Sequence, residues 1–157
     1  MVNVEENQYI YNFPRPMITV DVAIFSKDLH WVLLIKRKND PFKDNYAMAG
    51  GYLNMDETIE TAAKRELKEE TGLDIPVLKF NKYYDGIERD PRGRTITFCF
   101  YAMIDKKLNK NIKAKDDAIS VDWLKIEDIM NLNIAFDHKT CIMDAYKKAL
   151  GDKQCRL

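Results

Sequence analysis

The chain has 157 residues, of which 46% are hydrophobic and 32% are charged. This composition is typical of a folded globular domain and excludes disordered, collagen-like and disulfide-scaffold classes. Twenty-five basic residues balance 25 acidic ones, so bulk charge predicts no nucleic-acid partner. The longest apolar run, residues 98–104, has seven residues, whereas a membrane span needs about 20. Three dispersed cysteines favour a cytoplasmic location.

The length predicts a single domain over residues 1–157. Apolar periodicity and turn residues predict the elements in chain order. These are an extended lead-in at 1–16, strands at 17–25 and 31–37, a short apolar stretch at 46–49 ending at Gly50-Gly51, a helix at 57–71, strands at 77–84, 94–104 and 119–124, a helical turn at 126–130 and a helix at 136–150. Few helices separate these strands, which indicates a mixed sheet flanked by helices.

The helix at 57–71 has the clearest signals. Asp56 is the predicted N-cap, and Gly72 stands where a terminating glycine belongs. Its Glu66, Glu69 and Glu70 are spaced by three and four residues, so they project from one face. Seven acids and three bases between residues 56 and 74 form a set that a divalent cation would neutralise, with the glutamates facing solvent or metal. The alternative is a solvated acidic face relieved by nearby lysines.

The full pattern resembles the Nudix box. It spans 23 residues and comprises Gly51, Glu57, Arg65-Glu66-Leu67, Glu69-Glu70 and Gly72-Leu73. The resemblance implies an α/β fold, a Nudix-type α/β/α sandwich with a mixed β-sheet between helices. It also implies hydrolysis of a nucleoside diphosphate linked to another moiety.

Carried over by position, the resemblance implies that Glu66, Glu69, Glu70 and the backbone carbonyl of Gly51 bind Mg²⁺ or Mn²⁺. It further implies that Glu57 and Arg65 orient these ligands. Independently, Arg65 and Glu69 form an i,i+4 pair suited to a salt bridge. A metal-activated water would attack phosphorus. Glu70 or a loop carboxylate, Asp116 or Asp117, is the candidate base.

Other stretches resemble the ADP-ribose pyrophosphatase branch of this family. They are residues 15–21, 33–37, 90–96, 115–118 and 135–138. The resemblance implies cleavage of ADP-ribose to AMP and ribose 5-phosphate, with Arg37, Arg92, Arg94 and Asp117 contacting substrate. Arginine forks suit phosphate, which agrees with this assignment. The alternative for the arginines near residue 90 is a solvated hairpin tip.

Two other functions stay open from the sequence. A nucleotide-pool sanitising enzyme would release pyrophosphate from a nucleoside triphosphate. A non-catalytic ADP-ribose sensor would carry a DNA-binding domain, for which too few residues follow residue 150. Phe13, Tyr83, Tyr84 and Trp123 are candidates to stack on adenine, although strand aromatics are more often core. The aromatic lead-in favours a homodimer, by analogy with relatives of this branch.

Overall fold

The computed structural model describes residues 11–107, 112 and 118–155. The described elements are strands β1 (Met17–Ser26), β2 (Trp31–Arg37), β3 (Tyr46–Ala47), β4 (Ala49–Tyr52), β5 (Lys79–Tyr84), β6 (Thr95–Ile104) and β7 (Ala118–Lys125), helices α1 (Ile59–Thr71) and α2 (His138–Gln154), and a 3₁₀ helix at Ile126–Asn131. Across this part of the chain, every helix is too short or too polar to span a bilayer.

The described strands form one mixed sheet. Its order is β3-β2-β1-β6-β5, with β4 paired to β1 and β7 paired to β2. β1 and β6 are parallel along the whole of β1, whereas β5 and β6 form an antiparallel hairpin. Side chains of β1 alternate between two cores, with Val20, Val22 and Ile24 on the α1 side and Ala23 and Phe25 on the α2 side. The predicted α/β/α sandwich is confirmed.

β1 and β2 diverge along their length, and this divergence opens a cleft in the sheet. β1 pairs with β2 near Ile24 and Phe25 but with β4 along residues 19–22. β3 stays on β2, so the chain crosses from one neighbour to the other at Met48, between β3 and β4. The predicted single stretch at 46–49 is therefore two strands, and the second continues through Gly50 and Gly51.

The start of α1 differs from the prediction. The N-cap is Thr58, whose Oγ1 accepts the Thr61 N–H at 3.2 Å, so Asp56 as N-cap is wrong. Glu57 stays outside the helix because its carboxylate accepts the Asn54 N–H at 2.9 Å and also binds Arg65. The end of the helix is as predicted.

The boundaries of α2 also differ from the prediction. The helix begins at His138 and not at residue 136, and it continues to Gln154. Phe136 has a φ of +53°, which lies outside the right-handed helical region. At the other end, the helix persists beyond the predicted residue 150 through Gly151, where a glycine lowers but does not abolish helix propensity.

Candidate active site

The guanidinium of Arg65 gathers three carboxylates beside β4. Its Nη2 lies 2.6 Å from Glu57 Oε1, and its Nη1 lies 2.7 Å from Glu66 Oε1 and 2.9 Å from Glu69 Oε2. Nη2 also donates to the Tyr52 carbonyl at 3.0 Å. The hydrogen bonds with Glu57 are the main reason that the pKa of Arg65 rises and that of Glu57 falls. Arg65 therefore remains charged and holds these carboxylates together.

Two glutamates of α1 lie directly against the glycines of β4. The Gly50 N–H donates to Glu70 Oε2 at 2.9 Å. A Cβ built on Gly51 would come within 2.4 Å of Glu66 Oε1, so a glycine is required for this close approach. Burial raises the pKa of Glu66, and the charge of Arg65 partly opposes that rise.

The three helix glutamates differ in exposure. Glu69 exposes 46% of its side chain, in agreement with the expectation that it faces solvent or metal. Glu70 is buried, and its carboxylate accepts the Gly50 N–H, so for Glu70 the expectation of a metal partner stays a prediction. Among residues 11–107, 112 and 118–155, no three His, Cys, Asp or Glu side chains are grouped closely enough to hold one ion. The donor chemistry nevertheless fits a hard divalent cation, because carboxylate oxygens suit Mg²⁺ and Mn²⁺.

A cleft of about 270 Å³ extends from these glutamates along the divergence of β1 from β2. One part of its wall is acidic and the other is basic and aromatic. The residues that line it include Asp21, Arg37, Met48, Gly50, Gly51, Tyr52, Glu66, Glu70, Arg89, Asp90, Arg92, Phe136 and His138. Such a concave site with convergent charged groups is suited to a small polar ligand.

Two arginines of the cleft flank one aromatic ring. The guanidinium carbons of Arg37 and Arg92 lie 5.0 and 5.3 Å from the ring centroid of Phe136. Arg92 also lies 5.2 Å from the ring of Tyr52, and Arg37 Nε donates to the Pro41 carbonyl at 2.8 Å. These cation–π contacts hold positive charge over the cleft.

Arg92 and Arg94, both in the β5–β6 hairpin, have different environments. Arg92 forms a two-point pair with Asp90, at 3.0 and 2.7 Å. Arg94 donates to the carbonyls of Asp85 and Gly86 at 2.7 and 3.2 Å. Its side chain closes the hairpin and does not line the cleft, so its assignment to substrate rests on the resemblance alone.

A buried charged network forms the floor of the cleft. Arg89 exposes only 4% of its side chain and binds Asp137 through two hydrogen bonds, at 2.9 and 2.7 Å. Its Nη2 lies 3.9 Å from Asp21 Oδ2, which also accepts the Thr97 hydroxyl. His138 Nε2 lies 3.3 Å from Asp21 Oδ1. Burial opposes the charge of Arg89, but both carboxylates outweigh it and raise its pKa.

The structure brings together many of the residues selected from the sequence. Gly51, Glu66, Glu70, Arg37 and Arg92 line the cleft, and Glu57, Arg65 and Glu69 adjoin it through the Arg65 contacts. Asp116 and Asp117 lie outside the described residues. None of the four aromatic candidates lines the cleft. The aromatic residues there are Tyr52 and Phe136, which the sequence reasoning missed.

A signal for several missed residues was present in the sequence. Four of the stretches that resemble the ADP-ribose pyrophosphatase branch supply residues to the cleft. These are Asp21 from 15–21, Arg37 from 33–37, Asp90 and Arg92 from 90–96, and Phe136 and His138 from 135–138. Their convergence makes a shared ligand site the natural explanation for stretches that are individually weak.

Comparison with known proteins identifies the family. The NUDIX domain model matches residues 15–145, and the chain belongs to this family. It is 40% identical over 130 residues to an ADP-ribose pyrophosphatase of Methanocaldococcus jannaschii, covering 83% of this chain and 73% of that protein. It is 34% identical over 142 residues to the ADPR responsive transcriptional repressor NtrR of Acinetobacter baylyi, covering 87% of this chain and 56% of the repressor.

A solved structure gives a third comparison. The NUDIX domain of Shewanella oneidensis NrtR, complexed with ADP ribose, superposes with a TM-score of 0.81 at 27% identity. The match covers 90% of this chain and 94% of that one. The chain thus spans a whole NUDIX domain of one relative but little more than half the length of the curated repressor.

Proposed function

We propose that this protein is a Nudix hydrolase that cleaves the pyrophosphate bond of ADP-ribose to give AMP and ribose 5-phosphate. The observation that carries the proposal is the continuous cleft between the Arg65-bound glutamates and the Arg37–Phe136–Arg92 cluster. An acidic end suits a metal-bound diphosphate, and a basic end suits the anionic substrate. The similarity to an ADP-ribose pyrophosphatase at 40% identity supports the choice of substrate.

The proposed cofactor is Mg²⁺ or Mn²⁺. Glu66, Glu69, Glu70 and the carbonyl of Gly51 would hold it, as the Nudix box implies. A bound divalent ion supplies activation of water and neutralisation of phosphate charge. Arg65 keeps the carboxylates of Glu66 and Glu69 near each other before the metal arrives.

The remaining residues of the cleft bind and orient substrate. Arg37 and Arg92 attract the phosphate oxygens, and Tyr52 and Phe136 hold these guanidiniums in place. Asp117 and Arg94 stay proposed substrate contacts from the resemblance. Glu70 is the base candidate that lies in the described cleft, and Asp116 and Asp117 are the alternatives.

A substrate panel tests the proposed reaction. The purified protein is incubated with ADP-ribose, other nucleoside diphosphate derivatives and nucleoside triphosphates, each with Mg²⁺ or Mn²⁺. We expect ADP-ribose to be the best substrate and AMP and ribose 5-phosphate to be its products. A preference for a triphosphate with release of pyrophosphate would instead identify a nucleotide-pool sanitising enzyme.

The second candidate is an ADP-ribose sensor. The 34% identity to an ADPR responsive repressor favours it, as does the likeness to the ADP-ribose-bound NUDIX domain. Micromolar binding of ADP-ribose without turnover in the same panel would establish the sensor. Intact box glutamates favour the enzyme, because binding alone does not need a water-activating metal.

We further propose that the chain is a single domain, that it acts in the cytoplasm as a homodimer, and that neither nucleic acid nor membrane is its partner. The balanced charge supports the last point. Within the described part of the lead-in, Phe13 is 78% exposed and Tyr11 is 37% exposed. A second copy of the chain would cover these aromatic surfaces.

A further inference from the structure

Met48 is the residue at which the chain changes its sheet partner. Before it, Ala47 pairs with Ile35 of β2, and after it, Ala49 pairs with Val22 of β1. Its buried N–H donates to Nδ1 of His138, at 3.1 Å. A buried amide without a partner is costly, so His138 stabilises the crossing.

The second nitrogen of the same ring reaches the neighbouring strand. Because Nδ1 accepts a backbone N–H, the ring is neutral and carries its proton on Nε2, which faces Asp21 Oδ1 at 3.3 Å. That carboxylate oxygen lies only 2.6 Å from where a Cβ of Gly50 would stand. His138 therefore contacts the crossing directly and also lies beside Asp21, the residue of β1 that pairs with Gly50.

The residues that follow the crossing contact the glutamates of α1. Two residues after Met48, the Gly50 N–H binds Glu70, and Gly51 follows in close contact with Glu66. α2, which carries His138, packs in the core on the opposite side of the sheet from α1. The imidazole thus links helix α2 to the glutamates across the sheet.

We propose that His138 is a positioning residue for the hydrolysis: its Nδ1 fixes the Met48 amide and so places the backbone of Gly50 and Gly51 against Glu70 and Glu66. This inference rests on the proposed function. His138 does not touch the reacting atoms in this scheme. Its contribution is to the orientation of the glutamates, for which small displacements reduce turnover.

Substitution of His138 by asparagine or glutamine distinguishes the roles of its two ring nitrogens. The side-chain oxygen of His138→Asn stands near the position of Nδ1 and retains the acceptor for Met48. The longer His138→Gln places its amide near Nε2, which retains the contact with Asp21 and loses the acceptor. We expect His138→Gln to lower kcat about 10- to 100-fold with little change in KM. We expect His138→Asn to remain within about threefold of the unchanged protein.

Ile142→Val is the matched control in the same helix. Ile142 is fully buried, so this variant lowers the melting temperature through lost packing but leaves kcat within about twofold. If kcat falls equally in His138→Asn and His138→Gln, or only as far as each variant's melting temperature falls, His138 has only a structural role. Either result overturns the proposal.

Amide hydrogen exchange gives a readout that does not need turnover. We expect exchange of the Met48 and Gly50 amides to be at least about tenfold faster in His138→Gln than in His138→Asn. Equal exchange rates in the two variants overturn the proposal, whatever the activity. A chain that hydrolyses nothing while showing the expected exchange contradicts the proposed function but supports the positioning of the backbone by His138.

Discussion

Glu69 and Glu70, near the end of α1, contact different partners, so their amide variants test the proposed catalytic face separately. Glu69 pairs with Arg65 and Glu70 with the Gly50 amide. We expect Glu69→Gln and Glu70→Gln each to reduce turnover about 10²–10³-fold, through loss of a charge that would hold the proposed metal. Steady-state kinetics at saturating Mg²⁺ measures this loss.

Lys64→Gln is the control on the same helix. Lys64 forms an exposed i,i+4 pair with Glu60 at 2.9 Å, away from the cleft lining. Lys64→Gln changes the helix charge by one unit, in the direction opposite to Glu69→Gln, and should leave turnover nearly unchanged. Near-normal activity of Glu69→Gln together with an inactive Lys64→Gln would contradict the assignment of the catalytic face.

Protonation of a buried histidine predicts a loss of stability in acid. Burial lowers the pKa of His138 below its ordinary value of 6.5, aided by Arg89 and Arg37 and opposed by Asp21 and Asp137. The unfolded chain therefore binds the proton more readily, and the stabilisation present above pH 6.5 decreases as the pH falls. The free energy of unfolding should decrease by up to about 1.4 kcal/mol per pH unit.

Urea unfolding between about pH 7.5 and pH 5 measures this slope. His138→Asn has no imidazole to protonate. Its plot of unfolding free energy against pH should therefore be less steep in the acidic part of the range, by a slope that corresponds to at most one proton. Identical slopes for the two proteins would show that His138 does not become protonated on unfolding.

At the scale of elements, the adjacent glycines of β4 have different neighbours. A Cβ on Gly50 would stand 2.1 Å from the Val20 carbonyl, which belongs to the backbone of β1, whereas a Cβ on Gly51 meets the movable carboxylate of Glu66. We expect Gly50→Ala to lower the free energy of unfolding by about 1–3 kcal/mol or more. We expect Gly51→Ala to lower it less and to reduce activity by displacing Glu66.

Denaturant unfolding and steady-state kinetics on both variants measure the two effects. Gly51→Ala should keep most of its stability at a cost of at least about tenfold in turnover. A Gly50→Ala protein as stable as the unchanged chain would contradict the close approach of β1 and β4.

The first turn of α1 tests which residue caps it. Thr58 Oγ1 accepts the Thr61 N–H, whereas Asp56 is exposed and lies two residues earlier. Thr58→Ala should lower the free energy of unfolding by about 1 kcal/mol, and Asp56→Ala should change it by less than about 0.5 kcal/mol. Urea unfolding compares them. The reverse order would restore Asp56 as the cap.

At the scale of the whole molecule, the proposed dimer is a prediction about mass. The aromatic side chains of the lead-in gain a hydrophobic contribution when a second copy covers them. Light scattering at micromolar concentration should give twice the mass of the chain. Phe13→Ser removes an exposed aromatic group and should shift the equilibrium toward monomer, whereas Ile87→Ser, a change at a 77% exposed residue of the β5–β6 hairpin, serves as the control. A monomeric mass for the unchanged chain would contradict the dimer.

Local sequence determined the elements and the acidic face of α1. The spacing of Glu66, Glu69 and Glu70, the i,i+4 relation of Arg65 to Glu69 and the helix end at Gly72 all depend on neighbours within a few residues, so periodicity and capping rules were sufficient. The order of these elements indicated a mixed sheet flanked by helices, and the resemblance to the Nudix box implied the α/β/α sandwich. The sequence alone also selected Arg37 and Arg92, which line the cleft.

Tertiary structure decided what holds those residues in place. The N-cap is Thr58 and not Asp56 because Arg65 binds Glu57, eight residues earlier in the chain, and keeps it outside the helix. The crossing at Met48 depends on His138, which is 90 residues later in the chain, and Arg89 meets Asp137 across 48 residues. Such pairings leave no period in the sequence, because their energy comes from burial of polar groups that become neighbours only when the sheet forms.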